Sequence, residues 1–520
     1  MSSNFKAFAV VFAVSLIVLF FFAKPYRKAI GSKRYGNWLI LWLSITVAAF
    51  VVSDFLLFAG ISAILVFAFS RAEPVKPAIY ALLIAATPAY DIPLKGFAGM
   101  NMLINVSLPF VVSAIVLLPA LFSAKKMKKT TKVGITADRF FLLWLLLELA
   151  LATRASTFTH MLRTGLESFL MMAPLYYGFS RYPKAFDDIR VISAAFILPV
   201  IILSVISIFE IVLSWHFYDG VIRNWYGQLP FGYKLRGGFL RASVSAFNPL
   251  IWGFVAMSAI GVAMAVLNDR FSKFYRYAGF LILAAGLLTS LSRGPWVGAL
   301  VAIAVFIMVS RKAVTRTFQL SFGLLAAFGI ASTTSFGRSI LNFLPFFGES
   351  GGDTISYRQQ LLDAAMEVIR ENPLFGSANY LAHPKLQAMR QGEGIIDLVN
   401  VYVQIALNSG IIGVVFFIGI FLSTLAALRN AMKSARNYNP QLALYCQAYF
   451  ATIAGMMVAL STTSNIGQIP LFSWSFLGVG IALARIEKAQ RETNGRSVDV
   501  EKTGINKANG TASPDRTGDL

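Results

Sequence analysis

Arginine is the residue through which this chain can do chemistry. A guanidinium holds a fixed charge and presents a planar fork of donors suited to phosphate oxygens. Arg293 sits in LLTSLSRGPWVGALVAI, between two apolar runs that leave almost no room for a loop. Its charge must lie at an interface or point into a cavity; a side chain that snorkels or caps helix carbonyls is the plainer reading. Arg241 sits in LRGGFLRASVSAFNPLIWG, where Gly237-Gly238 loosen the backbone before a helix that starts near Ser245–Pro249. Free N–H groups at such a helix start can join a basic side chain in holding an anion, though an ordinary interfacial turn has the same pattern. Arg358 opens the stretch SYRQQLLDAAMEVIRE (356–371), either as an anion contact or as a solvated helix charge.

Two further residues could work beside them. Asp397 and Asn400 stand just before the apolar segment VYVQIALNSGIIGVVFFIGIF. Asp397 can serve as general base for a hydroxyl, with Asn400 orienting it, and helix N-capping is an equal reading of the acid. His160, His216 and His383 have no metal-ligand spacing, so no zinc site is expected. Cys446 is the single cysteine, which excludes an intrachain disulfide and a cysteine-ligated cluster. No phosphate-binding GxxxxGK[ST] loop is present, nor a GxGxxG after a strand, and no cofactor is expected.

The elements that must position these residues are membrane helices. Hydrophobic residues make up 57 % of the 520 and charged residues 13 %, too few charges to cover a water-soluble surface of this size. Apolar runs lie at about 7–23, 38–52, 54–70, 75–88, 104–122, 138–153, 164–180, 191–213, 246–267, 275–290, 295–310, 317–335, 399–428, 442–461 and 470–485. The expected fold is an all-α polytopic transmembrane bundle of about 12–15 spans. Alternating the loops puts 32 of the 46 Lys and Arg on one side, which the positive-inside rule makes cytoplasmic. The net charge of +22 thus reflects cytoplasmic loops near anionic lipid, not nucleic-acid binding.

On that assignment Arg154, Arg163, Arg223, Arg236, Arg241, Arg293, Arg338 and Arg358 all fall outside, where the charge bias does not explain them. Several arginines at one face point to an anionic, phosphorylated, lipid-linked ligand. The expected organisation is N-terminal spans over 1–335, a large outer loop over 336–398, C-terminal spans over 399–485 and a disordered cytoplasmic tail over 486–520. Within the loop, Leu361, Leu362, Ala365, Met366 and Ile369 share one helical stripe, and Asn372-Pro373 stops the helix. An amphipathic helix of this kind lies on the membrane surface or caps a cavity.

Several stretches resemble the O-antigen ligase and Wzy-type polymerase superfamily of bacterial inner-membrane proteins. Ser292-Arg293-Gly294-Pro295-Trp296 is similar to the family's S-R-G-x-W. Arg358 with its helix running into Asn372-Pro373-Leu374-Phe375-Gly376 is similar to R-x-x-L…NPLFG. Asn400-Val401-Tyr402-Val403-Gln404…Asn408-Ser409-Gly410-Ile411-Ile412-Gly413 is similar to H-N-x-Y-L-Q…E-x-G-I-I-G, and Arg241 with Asn248-Pro249 is a weaker match. Val399 stands where ligases carry a histidine before the asparagine.

The resemblance implies metal-independent glycosyl transfer from a polyprenyl-diphosphate-linked oligosaccharide at the periplasmic face of the inner membrane. Arg241, Arg293 and Arg358 would hold the diphosphate, and Asp397 and Asn400 would serve the acceptor. The missing histidine favours a polymerase of O-antigen or exopolysaccharide repeat units over a ligase acting on lipid A core. A chain-length regulator and a flippase are the expected partners. A transporter or flippase of lipid-linked sugars is the rival of another class; it would use Glu148 and Glu210, the acids within long apolar runs.

Overall fold

A computed structural model describes residues 3–88, 91–96, 102–119, 133–155, 157–227, 234–310, 352–390 and 396–509, with 315, 329, 332 and 333 besides. The chain is a helical bundle with two short β-hairpins. Eight helices of the described residues are long and apolar enough to cross a membrane. They are α1 (Ser3–Ile30), α2 (Ser32–Val51), α3 (Phe55–Ala72), α8 (Phe186–Leu213), α10 (Pro249–Arg270), α15 (Val401–Ala435), α16 (Pro440–Leu460) and α17 (Ile469–Asn509). Four more helices fill the bundle: α6 (Ile135–Ala152), α7 (Phe158–Arg181), α11 (Lys273–Thr289) and α12 (Arg293–Met308). The protein is therefore a multi-pass membrane protein of the all-α class.

Two of the expected spans take another form. The runs at 75–88 and 104–122 become the short helices α4 (Pro77–Leu83) and α5 (Leu108–Val116). Between them lies an antiparallel hairpin, β1 (Ile92–Lys95) with β2 (Met102–Val106). Asp91 and Pro93 interrupt the apolar pattern there, and the β-branched residues of MLINV suit a strand. Every residue of α4 is buried, so this unit is packed inside the bundle. The run expected at 317–335 lies outside the described residues apart from isolated positions, as does Arg338. At the C-terminus α17 continues past 485 to Asn509, through the stretch expected to be disordered. Pairs at i, i+4, Lys488 with Glu492 at 3.8 Å and Glu487 with Arg491 at 3.9 Å, favour that continuation.

The short elements that carry the site are α9 (Asp219–Tyr226), the hairpin β3 (Leu235–Arg236) with β4 (Phe239–Leu240), α13 (Gly352–Glu371) and α14 (Pro384–Gln387). Of the stripe expected on the loop helix, Leu361, Ala365 and Ile369 are buried with Val368, Leu386, Leu398, Ala406 and Leu407 in a small second core, whereas Leu362 and Met366 are exposed. That core takes in the first turns of α15. The helix then breaks at Gly410, whose φ of 68° and ψ of −171° are not helical.

The break has a clear cause. The Asn372–Gly376 turn crosses α15 there, and Ile411 N donates to Pro373 O at 2.8 Å while Ser377 N donates to Leu407 O at 2.8 Å. Backbone lies so close to backbone that a Cβ on Gly410 would collide with the Leu374 carbonyl, and one on Gly376 with Leu407 O. Arg154 fastens the crossing, donating to Phe375 O at 2.9 Å, Asn408 O at 3.3 Å and Gly376 O at 3.4 Å. One of the outward arginines is thus a bolt between α6 and the loop.

Candidate active site

The start of α12 and the loop before α10 are held together by Ser292. It is buried, accepts from Arg241 Nη2 at 2.7 Å and donates to Pro249 O at 3.1 Å. Arg241 Nε also donates to Ser290 O at 3.3 Å, and Arg236 Nη1 donates to Leu291 O at 2.6 Å. Leu291 reaches a φ of 45° to make that bend, an unfavourable conformation for a γ-branched side chain and one often seen where function demands a fixed shape. The turn from α11 into α12 therefore spends its carbonyls on two guanidinium groups and leaves their remaining donors available.

The other end of the Arg241 segment is anchored by Glu210, which has no exposed surface. Its carboxylate accepts from Ser243 N and Val244 N at 3.0 Å each and from Phe217 N at 3.1 Å. His216 Nδ1 lies 3.3 Å from the same carboxylate and 3.0 Å from Ser243 Oγ. Burial pulls the His216 imidazole down, but the hydrogen bond and charge of Glu210 outweigh it and hold the ring above its ordinary value. Glu210 is a clamp for the loop that carries Arg241, and its buried charge is matched by backbone donors.

These supports bring Arg236, Arg241, Arg293 and Arg358 to one cavity of about 240 Å³, shared with Asp397, Tyr357, Lys234, Thr462 and Val399. Among the described residues none of the four arginines forms a salt bridge. Arg293 Nε is buried and has no acceptor among the described residues. The groups repel one another: burial first and Arg236 second push the Arg241 guanidinium down to about 10. Burial, with Arg293 and Arg358 close by, lowers Arg236 as well. Arg358 is lowered by burial and by Arg293, with Asp397 pulling in the opposite direction.

Several arginines near the opposite helix ends are matched by acids. Arg181 and Arg485 meet Asp138 at 2.7 and 2.8 Å, Arg190 meets Asp269 at 2.8 Å and Arg34 meets Glu73 at 3.0 Å. Along α8, Arg190 and the Glu210 clamp are separated by a rise of roughly 30 Å. Ion pairs thus hold several arginines at one end of the bundle, while the four arginines of the cavity have none among the described residues. A cavity of this kind can bind a dianion or trianion through forked donors and can stabilise negative charge on a departing group.

Asp397 is the acid of the cavity, and its Oδ1 accepts from Ser464 Oγ at 2.6 Å. Asn400 lies one turn on and does not line the cavity; its Oδ1 caps α15 by accepting from Tyr402 N at 3.0 Å and Val403 N at 3.2 Å. The capping geometry weighed for Asp397 thus belongs to Asn400. His383 caps α14, with Nδ1 accepting from Lys385 N at 3.3 Å, and faces Glu371.

Sequence reasoning singled out Arg241, Arg293, Arg358 and Asp397, and all four line the cavity. It counted Arg236 among the outward arginines without choosing it for the site. It also passed over Tyr357 and Thr462, which carry no charge to draw notice. No group of three or more His, Cys, Asp or Glu able to hold a metal occurs among the described residues.

Comparison with known families adds to this geometry. The family model of O-antigen ligase matches residues 278–418, a stretch that holds Arg293, Arg358, Asp397 and Asn400. No curated protein matches the chain. Residues 278–418 of this multi-pass membrane chain are therefore similar to the O-antigen ligase family.

Proposed function

We propose that this protein is a metal-independent polymerase of polyprenyl-diphosphate-linked oligosaccharide repeat units, working at the periplasmic face of the bacterial inner membrane. The observation that carries the reading is the meeting of four uncompensated arginines with one carboxylate in a single cavity. A hydroxyl oxygen of the acceptor sugar forms a bond to the anomeric carbon of the donor. The anomeric C–O bond to phosphate breaks, and its electron pair leaves with the lipid diphosphate. The hydroxyl proton passes to Asp397. Arg236, Arg241, Arg293 and Arg358 neutralise the charge that develops on the diphosphate, and no ATP is needed for this.

A second reading, transfer of finished polysaccharide to an acceptor such as lipid A core, draws support from the O-antigen ligase family match. Val399 argues for the polymerase. It lines the cavity at the position where ligases carry histidine, so Asp397 is the base that this chain has there. The transporter reading loses support from Glu210, whose carboxylate is spent on three backbone N–H groups and His216.

The test is product analysis in a deletion strain, with the purified protein and its lipid-linked donor as the complement. Loss of long polymer with single repeat units still attached to their final acceptor supports the polymerase. Polymer stranded on its lipid carrier would overturn it in favour of the ligase.

A further inference from the structure

A second cavity, of about 280 Å³, lies beside the basic one and differs from it in every chemical respect. Asp91 and Glu167 stand in its lining, and no lysine or arginine does. Trp144, Trp474 and Phe417 form an aromatic group on its wall, with Trp144 and Phe417 ring centroids 5.4 Å apart and Phe417 and Trp474 5.9 Å apart. Trp144 is 4 % exposed, and its Nε1 has no hydrogen-bond partner among the described residues.

The acids are held in place. Glu167 Oε1 accepts from Asn105 N at 2.8 Å, which ties α7 to β2. Asp91 interacts with Ser107, and burial together with the nearby Glu167 charge raises its carboxyl above the ordinary value. Two carboxylates so placed repel a diphosphate and accept hydrogen bonds from neutral donors. Aromatic faces beside carboxylates suit a ring that has C–H groups on its faces and hydroxyls on its rim. That ligand is a sugar.

Position adds to chemistry. The segment 461–467 is a wall common to both cavities: Thr462 lines the basic one, and Asn465 and Gly467 line the acidic one. Ser464 in the same segment holds Asp397, and Asn465 N donates to Gln404 Oε1 at 3.1 Å.

We propose that the cavity bounded by Asp91, Glu167, Trp144 and Trp474 is a glycan subsite that seats the acceptor sugar next to the base. The acceptor assignment rests on the reading of the basic cavity as the diphosphate site; the sugar assignment does not.

The full-length protein in lipid nanodiscs would be probed by saturation-transfer difference NMR with the methyl glycosides of glucose, galactose, mannose, rhamnose and N-acetylglucosamine. At least one glycoside is expected to receive saturation. Asp91→Asn and Glu167→Gln, singly and together, should weaken its binding by about tenfold or more, the scale of a lost hydrogen bond to a charged group. Arg293→Ala should leave it unchanged. Asp91→Asn is a near-isosteric change in a loop, so it separates lost binding from lost fold. Absence of transfer to every glycoside, or transfer that survives in both carboxylate variants, would overturn the proposal. Calorimetric titration of the same samples with inorganic diphosphate tests the other cavity: its heat should vanish in Arg293→Ala and persist in Asp91→Asn. Loss of that pattern would count against the diphosphate reading alone.

Discussion

Ser464 donates its hydroxyl hydrogen to Asp397 Oδ1 at 2.6 Å, across 67 residues of chain. This bond fixes the acid at the cavity from the loop between α16 and α17, which is a different element from the one that carries it. The second carboxylate oxygen is thereby turned into a defined acceptor. Asp397→Asn keeps an oxygen for Ser464 and removes basicity. Polymer formation by this variant should fall by about 10²–10⁴ with no change in thermal stability. Turnover of a lipid-linked donor, followed by gel analysis, checks it; full activity would remove Asp397 from the role of base.

Arg293 has a different kind of prediction. Among the described residues its Nε has no acceptor, which leaves that donor open to a ligand. Arg293→Ala should leave the protein folded in the membrane and cut product formation by about 10²–10³, the loss typical of one preorganised charge-stabilising donor. Arg293→Lys should recover part of it, since charge survives while the fork is lost. Polymer of normal length and yield from the alanine variant would place Arg293 outside the site.

The mutual repulsion of the four arginines makes the ligand-free cavity a cost that an anion relieves. Inorganic diphosphate should therefore raise the melting temperature, by a shift equivalent to about 2.7 kcal/mol at a hundredfold excess over Kd. High salt should shrink the effect. The pH dependence follows from Arg241, pushed down to about 10. Below that value its guanidinium is protonated and binds the anion, so affinity falls above about 10 as the charge is lost. Differential scanning fluorimetry across pH and salt tests both statements. A melting temperature indifferent to diphosphate would contradict the charge argument.

Gly410→Ala is expected to damage the site without touching it. The added methyl meets the Leu374 carbonyl, and a φ of 68° costs a non-glycine residue about 1–2 kcal/mol before any clash. The Asn372–Gly376 turn should lift from α15, and the loop carrying Arg358 and Asp397 should become sensitive to protease. Limited proteolysis would show cleavage within 352–398 while the spanning helices remain intact. Unchanged protection would mean that the crossing is looser than its hydrogen bonds imply.

How much of this was legible before the fold was known depends on the residue. Arg293 stood out because a charge had no loop to occupy, and solvation physics alone made it conspicuous. Asp397 stood out through its place before a long apolar helix. Arg154 belonged to the same outward set but proved to be a bolt, since its three carbonyl partners lie more than 220 residues away in sequence. Asn400 took the cap weighed for Asp397, because capping depends on backbone angles that a one-dimensional pattern does not reveal. The helices α4 and α5 read as spans because their apolar runs are long enough, and only the strand pairing between them shortens them. Asp91 and Glu167 gave no signal at all, being carboxylates 76 residues apart that meet through the packing of a hairpin against α7.

The interruption of α15 divides the labour of one long rod. Its opening turns share their apolar contacts with α13, and the remainder buries one face against neighbouring helices while Ile411, Val415 and Leu422 stay exposed. A substitution on the loop's side is felt by a core of a few side chains and is not transmitted to the anchor below. The loop side can therefore vary in sequence while the scaffold beneath stays as it was.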